Sequence, residues 1–203
     1  IEKAIAKDPS DPELWVLRGN AEEPDPGGRG QQGKIGAAAF YESALARDPH
    51  HVGAHHYLVH AYENVGRYGE AVAHARTYAA SAVNVPHAQH MLGHVLPRAG
   101  TLEEALVQFE KAEALHDAYE RAEHVRPGDD WHRAHNLDLM GNVYLRFGRF
   151  ADAEKAFRRQ NSIPFANPIW EGNHASLPEF LLLRGRAEEA LALARKMSLG
   201  VGS

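Results

Sequence analysis

The chain repeats itself with a period of about 34 residues, and this period restricts its fold more than any other feature of the sequence. The residues that lie one period apart include Gly66 and Gly100, Ala71 and Ala105, Leu58 and Leu92, His56 and His90, and His60 and His94. A fixed period of about 20 to 50 residues is typical of arrays in which each unit packs on its neighbours. The sequence therefore predicts a repeat protein.

Each unit has apolar residues at helical spacing, a glycine at a turn, and a second helical segment with an alanine where two helices must approach closely. The second helices are predicted in KIGAAAFYESALARDP, RYGEAVAHARTYAAS, TLEEALVQFEKAEAL, RFADAEKAFRRQ and RAEEALALARKM. Their reference alanines are Ala37, Ala71, Ala105, Ala153 and Ala190. The unit is thus a helix, a turn and a helix.

This pattern resembles the tetratricopeptide repeat family, whose unit has about 34 residues and a W-x2-L-G…Y…A…F…A…P signature. The matching residues are Trp15, Gly19, Ala37, Tyr41, Ala44 and Pro49; Leu58, Tyr62 and Ala71; Leu92, Gly93, Ala105, Phe109 and Ala112; and Met140, Gly141, Tyr144, Ala153 and Phe157. A fifth unit is weaker, with Pro178 at a position for a small residue. The resemblance implies an all-α fold, a right-handed superhelix (α-solenoid) of about five helix-turn-helix repeats.

We expect one domain over residues 1–203, with repeats at roughly 11–49, 50–83, 84–128, 129–165 and 166–199. The first residues, IEKAIAKDP, resemble the end of a preceding repeat helix more than a signal peptide. Residues 1–10 are therefore predicted to end a preceding repeat helix within a larger architecture, and any N-terminal signal would lie before this chain.

The sequence departs from the repeat pattern in two places. An insertion near PDPGGRG separates the helices of the first unit, and the interval from Gly100 to Gly148 is longer than one period. The extra residues of that interval, within LHDAYERAEHVRPGDDW, are predicted to lengthen a second helix and to end it at Pro127–Gly128. The segment GRGQQGK begins like a phosphate-binding loop but lacks the following Ser or Thr and a preceding strand, so we interpret it as an inter-helix insertion.

Histidine is the anomaly in the composition, with 14 residues that are mostly bunched. In the tetratricopeptide family, positions 2, 5, 9 and 12 of each first helix face a concave groove. These positions correspond to Gly53, His56, His60 and Glu63; to His87, His90, His94 and Pro97; and to His135, Asp138, Asn142 and Leu145. Helical spacing alone places the same residues on one face, opposite an apolar face. The histidines are therefore predicted in the groove and not in the core.

Packed helices lie about 8–10 Å apart, so His56, His60, His90 and His94 are expected to form a rough square. Such a set suits a transition metal such as Zn, Fe, Cu or Ni, and with an open position the ion could activate water or dioxygen. Glu63 or Asp138 would then be the general base or a carboxylate ligand.

The remaining histidines and a tryptophan are given supporting roles. His87, His135 and Asn142 border the groove, and His55 beside it would pack or orient a ligand. Trp131 either covers one end of the site or anchors a long helix. We interpret His74, His116, His124 and His174 as solvated surface residues, and His50, His51 and His132 as edge residues.

The alternative is a non-catalytic scaffold whose groove binds a peptide or a partner protein, which is what the resemblance implies. One known peptide-binding mode of the family grips a C-terminal carboxylate with lysine and asparagine at groove positions of the first helices. Asn20 and Asn142 occupy the ninth position of their helices, but His56 and His90 stand where that carboxylate clamp has lysine. A clamp of that kind is therefore not predicted, although a histidine groove could bind an anionic peptide at low pH and release it near neutrality.

Composition excludes several other classes of protein. The 27 acidic and 22 basic residues form no basic tract, so nucleic acid is not an expected partner. The chain has no cysteine, which excludes disulfides and thiolate metal sites. No run of about eighteen apolar residues is present, so we expect a soluble protein without a membrane span, by default in the cytoplasm.

Overall fold

The computed structural model describes residues 1–22, 34–164 and 176–200, with side chains described up to residue 196. Within these ranges all regular secondary structure is helical, which confirms the all-α class. The α-helices are α1 (Glu2–Lys7), α2 (Pro12–Asn20), α3 (Ile35–Leu45), α4 (Val52–Asn64), α5 (Tyr68–Ser81), α6 (Pro86–Val95), α7 (Leu102–Glu123), α8 (Trp131–Arg146), α9 (Phe150–Asn161), α10 (Ser176–Leu183) and α11 (Ala187–Gly200). Short 3-10 helices span Leu96–Ala99 and Pro127–Asp129.

The chain divides into two compact units, Ile1–Ala105 and Leu106–Ser203. In the first unit each helix from α2 to α6 packs on the next, and α4 also contacts α6. In the second unit α8 packs on α9, α9 on α10, and α10 on α11. None of the helices in the described ranges combines the length and apolar character that a membrane span requires.

The core of each unit consists of small residues on the second helices and larger ones around them. All five reference alanines are buried: Ala37, Ala71, Ala105, Ala153 and Ala190. Fully buried large side chains in the first unit include Tyr41, Leu58 and Met91, and in the second unit Phe109, Leu137 and Phe157. The predicted helix-packing positions are therefore confirmed.

The turn glycines of the predicted repeats have left-handed backbone conformations. Gly66 between α4 and α5 has φ +78°, and Gly100 before α7 has φ +85°. A residue with a Cβ atom adopts this region only at an energetic cost, so glycine is suited to ending a helix here. The same conformation recurs at Gly148 and Gly185.

Helix α7 is long, as predicted, but it ends at Glu123, before the predicted stop at Pro127–Gly128. His124 follows it with φ +54°, so the helix has already ended with a left-handed residue when the chain reaches Pro127. The predicted insertion at PDPGGRG lies outside the described residues, as does GRGQQGK except for Lys34.

Two glycines inside first helices lie directly against aromatic rings of second helices. A Cβ atom added at Gly19 would overlap the ring of Tyr41, and one at Gly141 would overlap the ring of Phe157. Both rings are buried, so they have little room to move. These contacts set how closely the two helices of a repeat approach.

Substitution of Gly141 by alanine is expected to lower the free energy of unfolding by about 2 kcal/mol, because the core must be displaced to accommodate one methyl group. Gly69→Ala is the matched control, since nothing lies within 4 Å of its added Cβ atom. Alanine favours helix over glycine by at most about 1 kcal/mol, so this variant should be as stable as the parent or slightly more stable. Urea denaturation of both variants measures the difference, and equal stabilities would contradict the close packing at Gly141.

Candidate functional site

Helix α4, which carries His55, His56 and His60, begins at a histidine cap. The His51 Nδ1 atom accepts a hydrogen bond from the Ala54 N–H at 3.1 Å. Because Nδ1 accepts, the proton of neutral His51 is on Nε2, which lies 3.1 Å from Glu13 Oε1 and donates to it. His51 thus fixes the start of α4 and ties it to α2. Sequence analysis missed this role, although the position immediately before a predicted helix start could have indicated it.

Helices α4 and α6 bring five imidazoles together, and we call His56, His60, His87, His90 and His94 the histidine cluster. The closest contact joins His56 Nε2 and His87 Nε2, which are 3.1 Å apart. The ring centroids of His56 and His60 are 5.0 Å apart, and those of His60 and His94 are 6.4 Å apart. His87 stacks on His90 with centroids at 5.6 Å. The cluster confirms that the two predicted histidine stripes lie side by side.

Burial differs within the histidine cluster. The side chain of His90 is only 2% exposed, so its assignment to the groove was wrong. The other four side chains of the cluster are partly exposed. The Nε2 atom of His60 is buried and has no hydrogen-bond partner among the described residues. Burial, and then the nearby His94, lower the pKa of His60 to about 4. This imidazole is therefore neutral at physiological pH.

Glu63 lies at one end of the histidine cluster, but it is not an accessible base. Its side chain is buried, and its Oε1 atom is 3.0 Å from His94 Nδ1 and 3.2 Å from Arg98 Nη1. Because this buried carboxylate already contacts His94 and Arg98, the geometry does not favour the predicted catalytic role. Arg98 was not predicted, although it directly follows the groove position at Pro97.

The four predicted metal ligands do not converge on one point. His56 faces His87 instead of His90, and His94 faces Glu63. Across the described ranges, no group of three or more histidine, aspartate or glutamate side chains is placed so that it could hold a metal ion. The predicted square of His56, His60, His90 and His94 is therefore not preassembled, and its metal-binding role stays a prediction.

His55 packs between α4 and α5 and does not support a groove ligand. Its Nε2 atom lies 3.0 Å from the Pro49 carbonyl oxygen, which can only accept, so Nε2 donates and Nδ1 is left as an acceptor. His74 Nδ1, at 2.8 Å, donates to it. Burial, and then His55, lower the pKa of His74 to about 4. The assignment of His74 to the solvated surface was wrong, because it is half-buried and hydrogen-bonded to the buried His55.

The groove candidates of the second unit lie along α8. Trp131 is the first residue of α8 and stacks on His132 with ring centroids at 4.0 Å, while His135 lies 6.1 Å away. Asp138 accepts a hydrogen bond from the Ser176 hydroxyl, and burial raises its pKa. Asn142 donates through Nδ2 to the Asp138 carbonyl oxygen at 2.9 Å. The second candidate base is thus hydrogen-bonded within its own unit.

His116 was assigned to the surface, and that assignment was wrong. It is 2% exposed, and its Nδ1 atom donates to Asp130 Oδ2 at 2.7 Å. Burial would raise the pKa of Asp130, but the hydrogen bond from His116 holds it well below its usual range. Arg133 lies beside them and pairs with Glu113 at 2.8 Å.

The buried charges of α7 share a helical spacing that sequence analysis overlooked. Arg133 also forms ion pairs with Asp117 and Glu120. Residues 113, 116, 117 and 120 are three or four positions apart and therefore share one face of α7. This polar face on an otherwise ordinary second helix could have indicated a buried ionic network.

The fold can be compared with known proteins. Models of the tetratricopeptide repeat match residues 35–95 and 177–196, and no curated protein sequence matches the chain. Similar solved structures include YrrB, a TPR protein with an unusual peptide-binding site (18% identity, 97% of this chain, 89% of that chain, TM-score 0.62). Another is Pseudomonas aeruginosa pilF (17% identity, 98% and 79%, TM-score 0.69). A third is the Podosopora anserina putative kinesin light chain with TPR-like repeats (17% identity, 94% and 95%, TM-score 0.68).

These findings define the class of protein and the type of repeat from which it is built. The described helices, their turn glycines and the similar solved structures are those of an α-helical repeat scaffold of the solenoid type. The chain contains tetratricopeptide repeats, which the family models match at residues 35–95 and 177–196. At such low sequence identities the structural similarity establishes the fold alone, so the histidine cluster has to be interpreted from its own geometry.

The two lowered histidine pKa values predict loss of stability in mild acid. The pKa values of His60 and His74 are about 4 in the folded protein and about 6.5 in the unfolded chain, which therefore binds protons first as the pH falls. Between pH 7.5 and 5 the free energy of unfolding should fall by about 2 kcal/mol for the two together, after allowance for solvent screening.

Urea denaturation at both pH values tests this dependence. The variant His74→Phe should lose part of it, because phenylalanine binds no proton in either state. His50→Ala, at an exposed position, should keep all of it. An unchanged pH dependence in His74→Phe would show that His74 does not resist protonation in the folded protein.

Proposed function

We propose that the chain is a non-catalytic scaffold that binds a segment of a partner protein on the face of α4 and α6 that carries the histidine cluster. The observation that supports this most is the position of the cluster. Leu58 of α4 and Met91 of α6 are buried in the core, whereas four of the five imidazoles remain partly exposed. These four imidazoles are therefore accessible to a partner from solvent.

The chemistry of the face suits a polypeptide. A neutral imidazole has one donor, one acceptor and a flat ring, so it can hydrogen-bond a peptide backbone or stack on a side chain. Glu63 and Arg98 compensate each other's charge at one end of the cluster. Recognition would therefore depend on hydrogen bonds and shape more than on long-range electrostatic attraction.

Two similar structures support a binding function over a catalytic one. YrrB is described as having an unusual peptide-binding site, and Cut9, part of which resembles this chain, forms a hetero-tetramer with Hcn1. The catalytic hypothesis has weaker support, since the described residues contain no assembled metal-ligand group and Glu63 is engaged in ion pairs.

The proposal predicts that peptides selected against the protein depend on the cluster. Twelve-residue peptides would be selected from a display library on untagged protein, and their dissociation constants would be measured by fluorescence anisotropy. The double variant His60→Ala/His94→Ala should bind them at least about 10-fold more weakly, since interface side chains at the centre of a contact each contribute on the order of 1–2 kcal/mol.

His50→Ala is the matched control, because His50 is exposed in the turn before α4. It should bind the selected peptides like the parent. Circular dichroism would verify that the double variant is folded. If selection yields no binder, or if the folded double variant binds as tightly as the parent, the histidine face is not the binding site.

A further inference from the structure

We propose that His56 and His87 form a two-nitrogen anchor for a divalent transition-metal ion that joins α4 to α6. Their Nε2 atoms face each other at 3.1 Å, one from each helix. This pair differs from the square predicted from the sequence, in which His56 was matched with His90. The inference goes beyond the scaffold function and holds whether or not a partner binds to the same face.

The separation of the two nitrogens fits a shared ion. An imidazole nitrogen binds Zn²⁺ at about 2.0–2.1 Å, and two such ligands in a tetrahedral arrangement lie about 3.3 Å apart. The observed 3.1 Å is therefore within a few tenths of an ångström of this separation. In the absence of an ion one ring donates its Nε2–H to the other, and on binding that proton moves to Nδ1 of the same ring.

Packing already restricts both rings. His56 lies against Tyr57 and Tyr78, with ring centroids at 4.9 and 5.7 Å. His87 stacks on His90 at 5.6 Å with an interplanar angle of 16°. Because neighbouring side chains limit their rotation, little conformational entropy is lost when an ion fixes the two rings.

Neighbouring histidines are less suited to be the second ligand. His90 is buried, and His94 faces Glu63. His56 and His87 are both partly exposed, so an ion can reach them from solvent. No set of three chain ligands is assembled in the described ranges, so water or a side chain of a bound partner would take the remaining positions.

The ion should be one that binds tightly to few imidazoles. Affinities for nitrogen ligands rise along the first transition row to Cu²⁺ and are lower for Zn²⁺. Ca²⁺ and Mg²⁺ prefer oxygen ligands and are expected to leave the pair empty. The anchor is therefore specific for Cu²⁺, Ni²⁺ or Zn²⁺ as a class.

Titration of untagged protein with CuCl2 and with ZnCl2, followed by calorimetry, tests the anchor. We expect one equivalent of Cu²⁺ to bind, with electron paramagnetic resonance showing coupling to two nitrogens. The variants His56→Ala and His87→Ala should each weaken binding at least about 10-fold, since even residues that only orient metal ligands contribute 10- to 100-fold. His50→Ala should bind like the parent, because His50 is exposed outside the histidine cluster.

Chemical protection keeps the test decisive if a variant does not fold. Diethylpyrocarbonate modifies accessible imidazole nitrogens, and mass spectrometry would show whether Zn²⁺ protects His56 and His87 in the parent protein while His50 remains reactive. Protection of both residues supports the anchor. Three results would overturn it. They are an equal loss of metal binding in His50→Ala, unchanged metal binding in His56→Ala and His87→Ala, and no protection of His56 and His87 by Zn²⁺.

Discussion

Close approach of two helices at residues without bulk is the constraint on which the rest of this structure depends. Gly141 lies against Phe157, and the reference alanines are buried in both units. These small residues let the second helix of a repeat pack tightly on the first, and the apolar sides of both helices are used in that contact. The other side of a first helix is not used in that contact. In α4 and α6 that side carries imidazoles.

The histidines of this chain show how one residue type takes several roles within a few turns of helix. His51 caps α4, His55 forms a partly buried pair with His74, and His56 contacts His87 across two helices. In each case the partner determines whether a ring nitrogen donates or accepts, since a neutral imidazole has one of each. A cluster that looks uniform in the sequence is therefore divided by hydrogen bonding into separate structural groups.

The periodicity of the sequence predicted the fold well, because the fold depends on local packing that repeats along the chain. The buried alanines and the turn at Gly66 were predicted from spacing alone. The site was predicted less well, because ring orientations and long-range pairs are not periodic. The register correctly placed His56 beside α6, but the contact with His87 instead of His90 depends on how the rings turn. His116 was misplaced because its partner, Asp130, lies beyond the end of α7.

The histidine cluster is compact in the sequence as well as in space. Its members fall between His56 and His94, within two adjacent repeats, and their mutual contacts all lie in that segment. Because each unit of a repeat array depends mainly on its nearest neighbours, such a segment behaves as a module. Recombination between repeat genes could move the entire cluster into another array in one step, with its internal geometry preserved.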